Sequence, residues 1–345
     1  MSTPLNTALP IVAAPMAGGP TTPALASAVI AAGGFAFLPG GYQSVAAMRA
    51  EVDAVRAADG RDRFGVNLFS PARDGSDGGV DPALFAAYAE ELAPEAAAVG
   101  VELDPTPVGD DDAWPEKLAS LIEDPVPVVS LTFGLPAAAE IARLRRAGTM
   151  VLATVTGRDE ARAAVDAGVD GLVVQGPRAG GHSATFDPSR APGSEPTEEI
   201  VAAVRAVTSL PFLAAGGVDG PEAVTELLAA GAEGVVVGTL LLAADEAGTS
   251  AVHRAALADP RFTETTITRA FTGRPARALR NGFIDRHEAA APVGYPAVHH
   301  LTRALRQAAA RAGDPELVHL WAGTGHRGAV PAPAAQIVRD LAGFR

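Results

Sequence analysis

In the stretch VVQGPRAGGHSATF (173–186), His182 follows Gly180-Gly181 just beyond an apolar run that ends at Gln175. Imidazole titrates near neutrality, so a histidine delivered on a glycine-rich turn can serve as a general base or as a hydrogen-bond donor. Asn67, Ser130 and Thr132 lie in two other apolar runs. An amide donates and accepts at once, which suits the edge of a flat heteroaromatic ring such as a flavin and equally suits neighbouring backbone. Gly216-Gly217 and Gly238-Thr239 close or interrupt the last two apolar runs. Glycines there let main-chain N–H groups approach phosphate oxygens, and a following helix N-terminus adds a favourable dipole. Ordinary tight turns use the same residues.

Something must bring these groups to one place. Strand-like runs cover 11–16, 35–40, 64–69, 127–133, 150–155, 171–176, 211–217 and 234–242. They are continuously apolar rather than alternating, as in strands buried on both faces of a parallel sheet. Helical patterns lie between them. Ile200, Val201, Val204 and Val207 share one face of 197–208, and Ala223, Val224, Leu227 and Leu228 share one face of 220–230. AGVDGLVV (167–174) is echoed by AGAEGVVV (230–237), an offset of 63 residues. That is two βα units of about 30 residues each. Eight such strands predict an α/β fold of the (β/α)8 TIM-barrel type, in which strand C-terminal ends carry the active site and the last two βα loops commonly hold a phosphate. A doubly wound open sheet is the rival, with a strand count nearer six.

Two spacings are longer than a βα unit. The stretch 70–126 holds additional helices at 82–98 and 114–123, and 243–345 exceeds one closing helix. These extras are expected to form a cap or small helical subdomain, with 1–345 as a single barrel domain.

Composition narrows the chemistry. There is no cysteine, so disulfides, thiolate metal sites and cysteine nucleophiles are excluded. Lys117 is the sole lysine, which removes a P-loop and Schiff-base chemistry at the glycine-rich turns. The net charge of −13 repels phosphate backbones, so nucleic acid is not an expected partner. His299-His300 are adjacent and diverge on a helix, and His253, His287, His319 and His326 show no ligand spacing, so no metal is expected. No apolar run approaches the roughly 20 residues of a membrane span, and the first residues lack a signal-peptide pattern, so a cytoplasmic protein without membrane attachment is expected. A homodimer is among the assemblies the sequence allows.

A set of blocks then stands in a fixed order: APMAGGPTTPALASAVIAAGG (14–34), FGVNLF (64–69), LTFG (131–134), VVQGPRAGGHSATF (173–186), LAAGGV (213–218), GVVVGTLLLA (234–243), FTGRPARALRNGF (271–283), YPAVHHLTRALR (295–306) and WAGTG (321–325). In these the chain resembles the class I nitronate monooxygenases, FMN-dependent TIM-barrel enzymes also called 2-nitropropane dioxygenases. The resemblance implies that FMN is held by Asn67, Gln175, Gly180, Gly217 and Val236-Val237-Gly238-Thr239, with Gly181 and Gly216 beside them. It places the backbone of Ala14-Pro15-Met16 against the isoalloxazine and makes His182 the active-site histidine. Tyr295 and His299, with Ser130, would line the substrate pocket.

The implied reaction takes a nitronate and O2 to a carbonyl compound and nitrite. A neutral nitroalkane would first lose a proton; His182 would be the base, or would orient and stabilise the anion by donating a hydrogen bond. Two departures from the family pattern stand out: Arg178 replaces a glutamate, and Ser183-Ala184 follow the histidine. A cation close to His182 would lower its pKa. Two alternatives stay open. One is an FMN-dependent enoyl-acyl-carrier-protein reductase using NAD(P)H; the other is a phosphate-ligand barrel without redox chemistry.

Overall fold

A computed structural model describes Leu5 and residues 7–58, 63–71 and 79–343. Eight parallel strands close a barrel: β1 (Ile11–Ala13), β2 (Phe35–Pro39), β3 (Phe64–Phe69), β4 (Val128–Thr132), β5 (Met150–Val155), β6 (Gly171–Gln175), β8 (Phe212–Ala215) and β9 (Gly234–Val237). Each predicted run contains one barrel strand. The last run is shortened: Thr239–Ala243 forms a 3₁₀ turn instead of extending β9. Three strands lie outside the barrel: β7 (Gly181–His182), β10 (Thr265–Thr268) and β11 (Ala276–Leu279) form an antiparallel sheet in the order β10-β11-β7. His182, expected in a loop, is thus fixed in register opposite Ala276.

The outer ring comprises α1 (Pro23–Ala31), α2 (Val45–Ala57), α4 (Trp114–Glu123), α5 (Ala138–Arg146), α6 (Arg158–Asp166), α7 (Thr197–Arg205), α8 (Pro221–Ala229) and α12 (Ala334–Leu341). Its apolar residues share one core with the outward faces of the strands. The barrel interior is a second, smaller cluster of Val12, Phe35, Phe37, Val128, Leu152, Val173, Leu213 and Val236. Large rings fill the lower barrel, so it is a packed core rather than a pore.

A third core lies over the C-terminal strand ends. It joins α3 (Pro82–Ala98) to α9 (Ala251–Ala258), α10 (Gly282–His287) and α11 (Ala297–Ala312) through Phe85, Tyr88, Leu92, Phe271, Phe283 and Leu305. Of the two long stretches noted in the sequence, α3 and residues 251–322 meet here, while α4 and α12 pack on the barrel. Residues 72–78 and 344–345 of those stretches lie outside the described residues. No helix among the described residues is long and apolar enough to cross a membrane.

Candidate active site

A cavity of about 540 Å³ opens between the barrel mouth and the third core. Its wall includes every expected cofactor, catalytic and substrate-pocket residue except Tyr295: Ala14, Pro15, Met16, Asn67, Ser130, Gln175, Gly180, Gly181, His182, Gly216, Gly217, Val236, Val237, Gly238, Thr239 and His299. Strand register explains the convergence. Asn67 pairs with Ser130 and Gln175 with Ala215, so their side chains leave adjacent strands at the same level.

At one end of the cavity the backbone forms a nest. Gly216 and Gly217 both take positive φ, +107° and +87°. Among the described residues the amides of Gly216, Gly217 and Val218 on one side, and of Gly238, Thr239 and Leu240 on the other, find no acceptor within the chain. Two sets of unpaired N–H groups on paired strands form an anion site of the kind that takes a phosphate. The exposed side chain of Arg178 lies over it, its Cδ 3.2 Å from where a Cβ of Gly217 would stand. The WAGTG block closes the rim: Gly323 N donates to Thr239 Oγ1 at 2.9 Å and Thr324 N donates to Arg178 O at 3.1 Å. A Cβ on Gly180 would lie 2.5 Å from Gly323 N, so the two loops touch backbone to backbone.

The amides divide their duties differently from the expectation. Gln175 is a strut for the histidine turn: its Nε2 donates to His182 O at 3.1 Å and its Oε1 accepts from Ala184 N at 2.8 Å. One N–H and one lone pair remain for a ligand. Asn67 Nδ2 donates to Ser130 Oγ at 2.9 Å and Thr132 Oγ1 at 2.8 Å, leaving Oδ1 without a partner among the described residues. Thr239 Oγ1 accepts from Gly323 N and keeps its own O–H, beside its amide, for a ligand.

His182 Nε2 lies 2.9 Å from Thr272 Oγ1. The Thr272 hydroxyl has one proton and directs it to Arg274 O at 3.3 Å. Thr272 therefore accepts from His182 Nε2–H, and Nδ1 keeps the free lone pair; this tautomer is assigned from the hydrogen-bond network. Phe133, Tyr295 and Trp321 surround the ring, with centroids 5.7, 5.7 and 5.3 Å away. Burial, then Arg274 and Arg306, push its pKa down to about 3. The ring keeps an open edge on the cavity. The sequence pointed to Arg178 as the nearby cation, and the structure corrects this: Arg178 serves the nest.

Arg274 and Arg306 are the residues sequence reasoning missed, and they set the electrostatics. They are only 4% and 5% exposed, and neither forms an ion pair among the described residues. Arg274 donates to Ser183 O at 3.2 Å and to Thr185 O, and its guanidinium sits 4.0 Å above the Phe133 ring. Arg306 donates to Thr302 Oγ1 at 3.0 Å and to His299 and His319. Burial lowers the pKa of each to about 10, which leaves both charged at neutral pH. A buried cation without a counter-charge is costly. Arg306 on the cavity wall, and Arg274 behind it with Glu160 and Asp187 in range, put positive charge beside neutral histidines, so the cavity gains from an anion. A usable signal existed: Arg306 stands seven residues after His299, on the same face of α11.

Tyr295, expected on the wall, stands one layer back. Its hydroxyl donates to Tyr42 Oη at 3.1 Å, and Tyr42 is the ring that lines the cavity. Tyr42 and Phe133 adopt positive φ, +63° and +77°, an uncommon state for aromatic residues that places strained backbone on two sides of the cavity.

A second cavity, of about 510 Å³, lies across β7 and shares Gln175, Gly181 and His182 with the first. None of the free amides lines it, and Arg306 lines the first cavity, with Arg274 behind the wall. Among the described residues no three His, Asp or Glu side chains are placed to hold a metal.

The chain matches a family model described as nitronate monooxygenase over residues 2–343. A probable nitronate monooxygenase of Staphylococcus aureus (strain Newman) is 34% identical over 341 residues, 98% of this chain and 94% of that relative. The chain belongs to the nitronate monooxygenase family. Among solved structures, a nitroalkane oxidase from Streptomyces ansochromogenes is 46% identical and superposes with a TM-score of 0.91, covering 98% of this chain and 96% of that one. FabK from Thermotoga maritima superposes with a TM-score of 0.73 at 25% identity, over 99% of this chain and 93% of its own. Membership of the nitronate monooxygenase family accounts for the order of the sequence blocks, and the closed barrel matches the nearer of these two structures best.

Proposed function

We propose that this protein binds FMN and oxidises alkyl nitronates with O2 to a carbonyl compound and nitrite. The observation that carries the reading is the pair of buried, unpaired arginines flanking a neutral His182. Such a site is complementary to an anion, and a nitronate is the anionic form of a nitroalkane. The residues present fit FMN: the amide nest and Arg178 would take its phosphate, while Ala14-Pro15-Met16, the free Asn67 Oδ1 and the remaining Gln175 N–H would meet its ring. When bound, FMN supplies the redox chemistry, accepting electrons from the substrate and passing them on to O2.

The chain supplies the rest. Arg274 and Arg306 attract the nitronate and offset its charge as it leaves water. Phe133, Trp321 and Tyr42 exclude solvent from the reacting carbon. Thr272 and Gln175 hold His182, ring and backbone respectively, so that its Nδ1 side faces the substrate. A base whose conjugate acid has a pKa near 3 removes a proton from carbon poorly, because general-base catalysis is best when the pKa lies near the working pH. The site is therefore built for a preformed nitronate, with neutral nitroalkanes as slow substrates. His182→Asn should lower kcat/KM on a nitroalkane at least about tenfold more than on its nitronate. Equal losses on the two, measured by oxygen uptake, would sink the base assignment.

The test of the function is a visible spectrum of the purified protein followed by anaerobic titration. A flavin band that bleaches with propionate 3-nitronate and ignores NADPH supports the reading. Rapid bleaching by NADPH alone moves the assignment to the reductase. No flavin, even after adding FMN, leaves the phosphate-ligand barrel.

A further inference from the structure

We propose that His299 is a hydrogen-bond donor to the substrate's nitro oxygens, locked in the Nε2–H tautomer by Arg306, which acts as a positioning residue. The inference deepens the nitronate reading and rests on it for the identity of the anion. A guanidinium has five N–H donors and no acceptor. Arg306 Nη2 lies 3.2 Å from His299 Nδ1 and 3.0 Å from His299 O, so one fork holds both the ring and its own backbone. Nδ1 must then be the accepting nitrogen, and the single proton of the neutral ring sits on Nε2.

The lock is itself held. Arg306 Nε donates to Thr302 Oγ1 at 3.0 Å, Thr302 in turn donates to Phe271 O at 2.5 Å, and Arg306 Nη1 reaches the His319 ring at 3.2 Å. The His299 ring cannot turn over freely either. It lies flat on Tyr42, with centroids 4.3 Å apart and planes 2° from parallel. Tyr295 and His300 meet it edge-on, at 6.3 and 5.4 Å. Its Nε2 has no partner among the described residues, and the residue lines the same cavity as His182 and Thr272.

The groups facing His299 all keep it uncharged. Arg306 and His300 approach from its own helix, His182 from β7 and His319 from the following segment. Tyr42 and Tyr295 are neutral, their pKa values raised by burial. Two acids lie on this side and both are engaged: Asp110 is 3.0 Å from His300 Nε2, and Asp112 accepts from Tyr42 N at 2.9 Å and pairs with Lys117 at 2.8 Å. A fixed N–H that cannot become an acceptor is selective for a group that only accepts, as both oxygens of a nitronate do.

The experiment uses the flavin-loaded protein with ¹⁵N-labelled histidine. In the wild type, the His299 ring should show protonated Nε2 and bare Nδ1, without change from pH 8 to pH 5. Arg306→Met should release the lock, giving mixed tautomers and a ring that titrates within that window. His299→Phe keeps the stack on Tyr42 and removes the donor. Its KM for propionate 3-nitronate should rise roughly tenfold to a hundredfold, with kcat changed much less and flavin content unchanged. A wild-type ring protonated on Nδ1, or titrating between pH 5 and 8, would overturn the lock. An unchanged KM in His299→Phe would overturn the donor role. A protein that holds flavin but ignores nitronate would overturn the substrate reading instead, while the ring spectra still judge the lock. If Arg306→Met fails to fold, the wild-type spectra and His299→Phe decide.

Discussion

Gly216→Ala is expected to give a folded barrel that has lost its flavin. Gly216 has φ +107°, well outside the region an L side chain readily adopts. An added Cβ would stand 2.9 Å from Ala179 N and 3.0 Å from Gly176 O, both backbone atoms that cannot swing away. The turn must therefore move, and with it the free amides of Gly216, Gly217 and Val218. Each amide given up to a charged phosphate is a hydrogen bond of about 1.5–3 kcal/mol. Losing two raises the FMN dissociation constant by at least about a hundredfold. The neighbouring Gly217→Ala should do less: its φ of +87° is also unfavourable, but its Cβ would meet side chains, Arg178 at 3.2 Å and Thr197 at 3.8 Å, rather than backbone. Gly157→Ala is the control: its backbone is extended, with φ 177°, and a Cβ there meets nothing within 4 Å. Fluorescence titration with FMN orders the three. A Gly216→Ala protein that binds FMN like the wild type would show that the nest is not the phosphate site.

The barrel was legible because each of its strands is a continuous apolar run, and buried parallel strands leave that signature regardless of partners. The nest of free amides was legible for a local reason as well: glycine pairs at strand ends mark backbone that must turn sharply. What stayed hidden depends on contacts between distant segments. β7 has only two residues, Gly181 and His182, and exists because β11 lies beside it, so no periodicity could reveal it. Arg274 reads as one of several basic residues in its block until the fold carries it under the His182 turn to Ser183 and Thr185. Tyr295 was placed one layer too far forward, since Tyr42, from a loop more than 250 residues away, fills the position it was given. The same blindness misassigned the cation near His182. Adjacency in sequence favoured Arg178, whereas the charges that matter arrive from the FTGRPARALRN block and from α11.

The protein should lose stability steeply as pH falls below about 6.5. The cause is a set of histidines that the folded chain keeps neutral. Burial lowers His253 to about 4, and burial with nearby charge lowers His182 to about 3 and His299 and His319 well below their ordinary value. In the unfolded chain each titrates near 6.5. Between that value and the depressed folded value the unfolded state binds more protons, so stability rises with pH across the window and is lost as pH drops through it. The full contribution is present above pH 6.5, and the loss continues down to about 4 for His253. At pH 5 a fully shifted histidine costs about 2 kcal/mol. His253 and His299, each 7% exposed, carry most of this. His182 and His319 are only half-buried and add less. A loss of about 4 kcal/mol or more between pH 7 and pH 5 is a large part of a typical domain's 5–15 kcal/mol. Urea unfolding followed at half-unit pH steps measures it. His253→Gln lowers stability outright, yet it should flatten the slope between pH 5 and 6.5 by about 1.4 kcal/mol per pH unit, one proton's worth. A wild-type slope near zero would mean that these rings take up protons in the folded state. His182 would then be a competent base near neutrality, and the preference for preformed nitronates argued from its low pKa would fall with it.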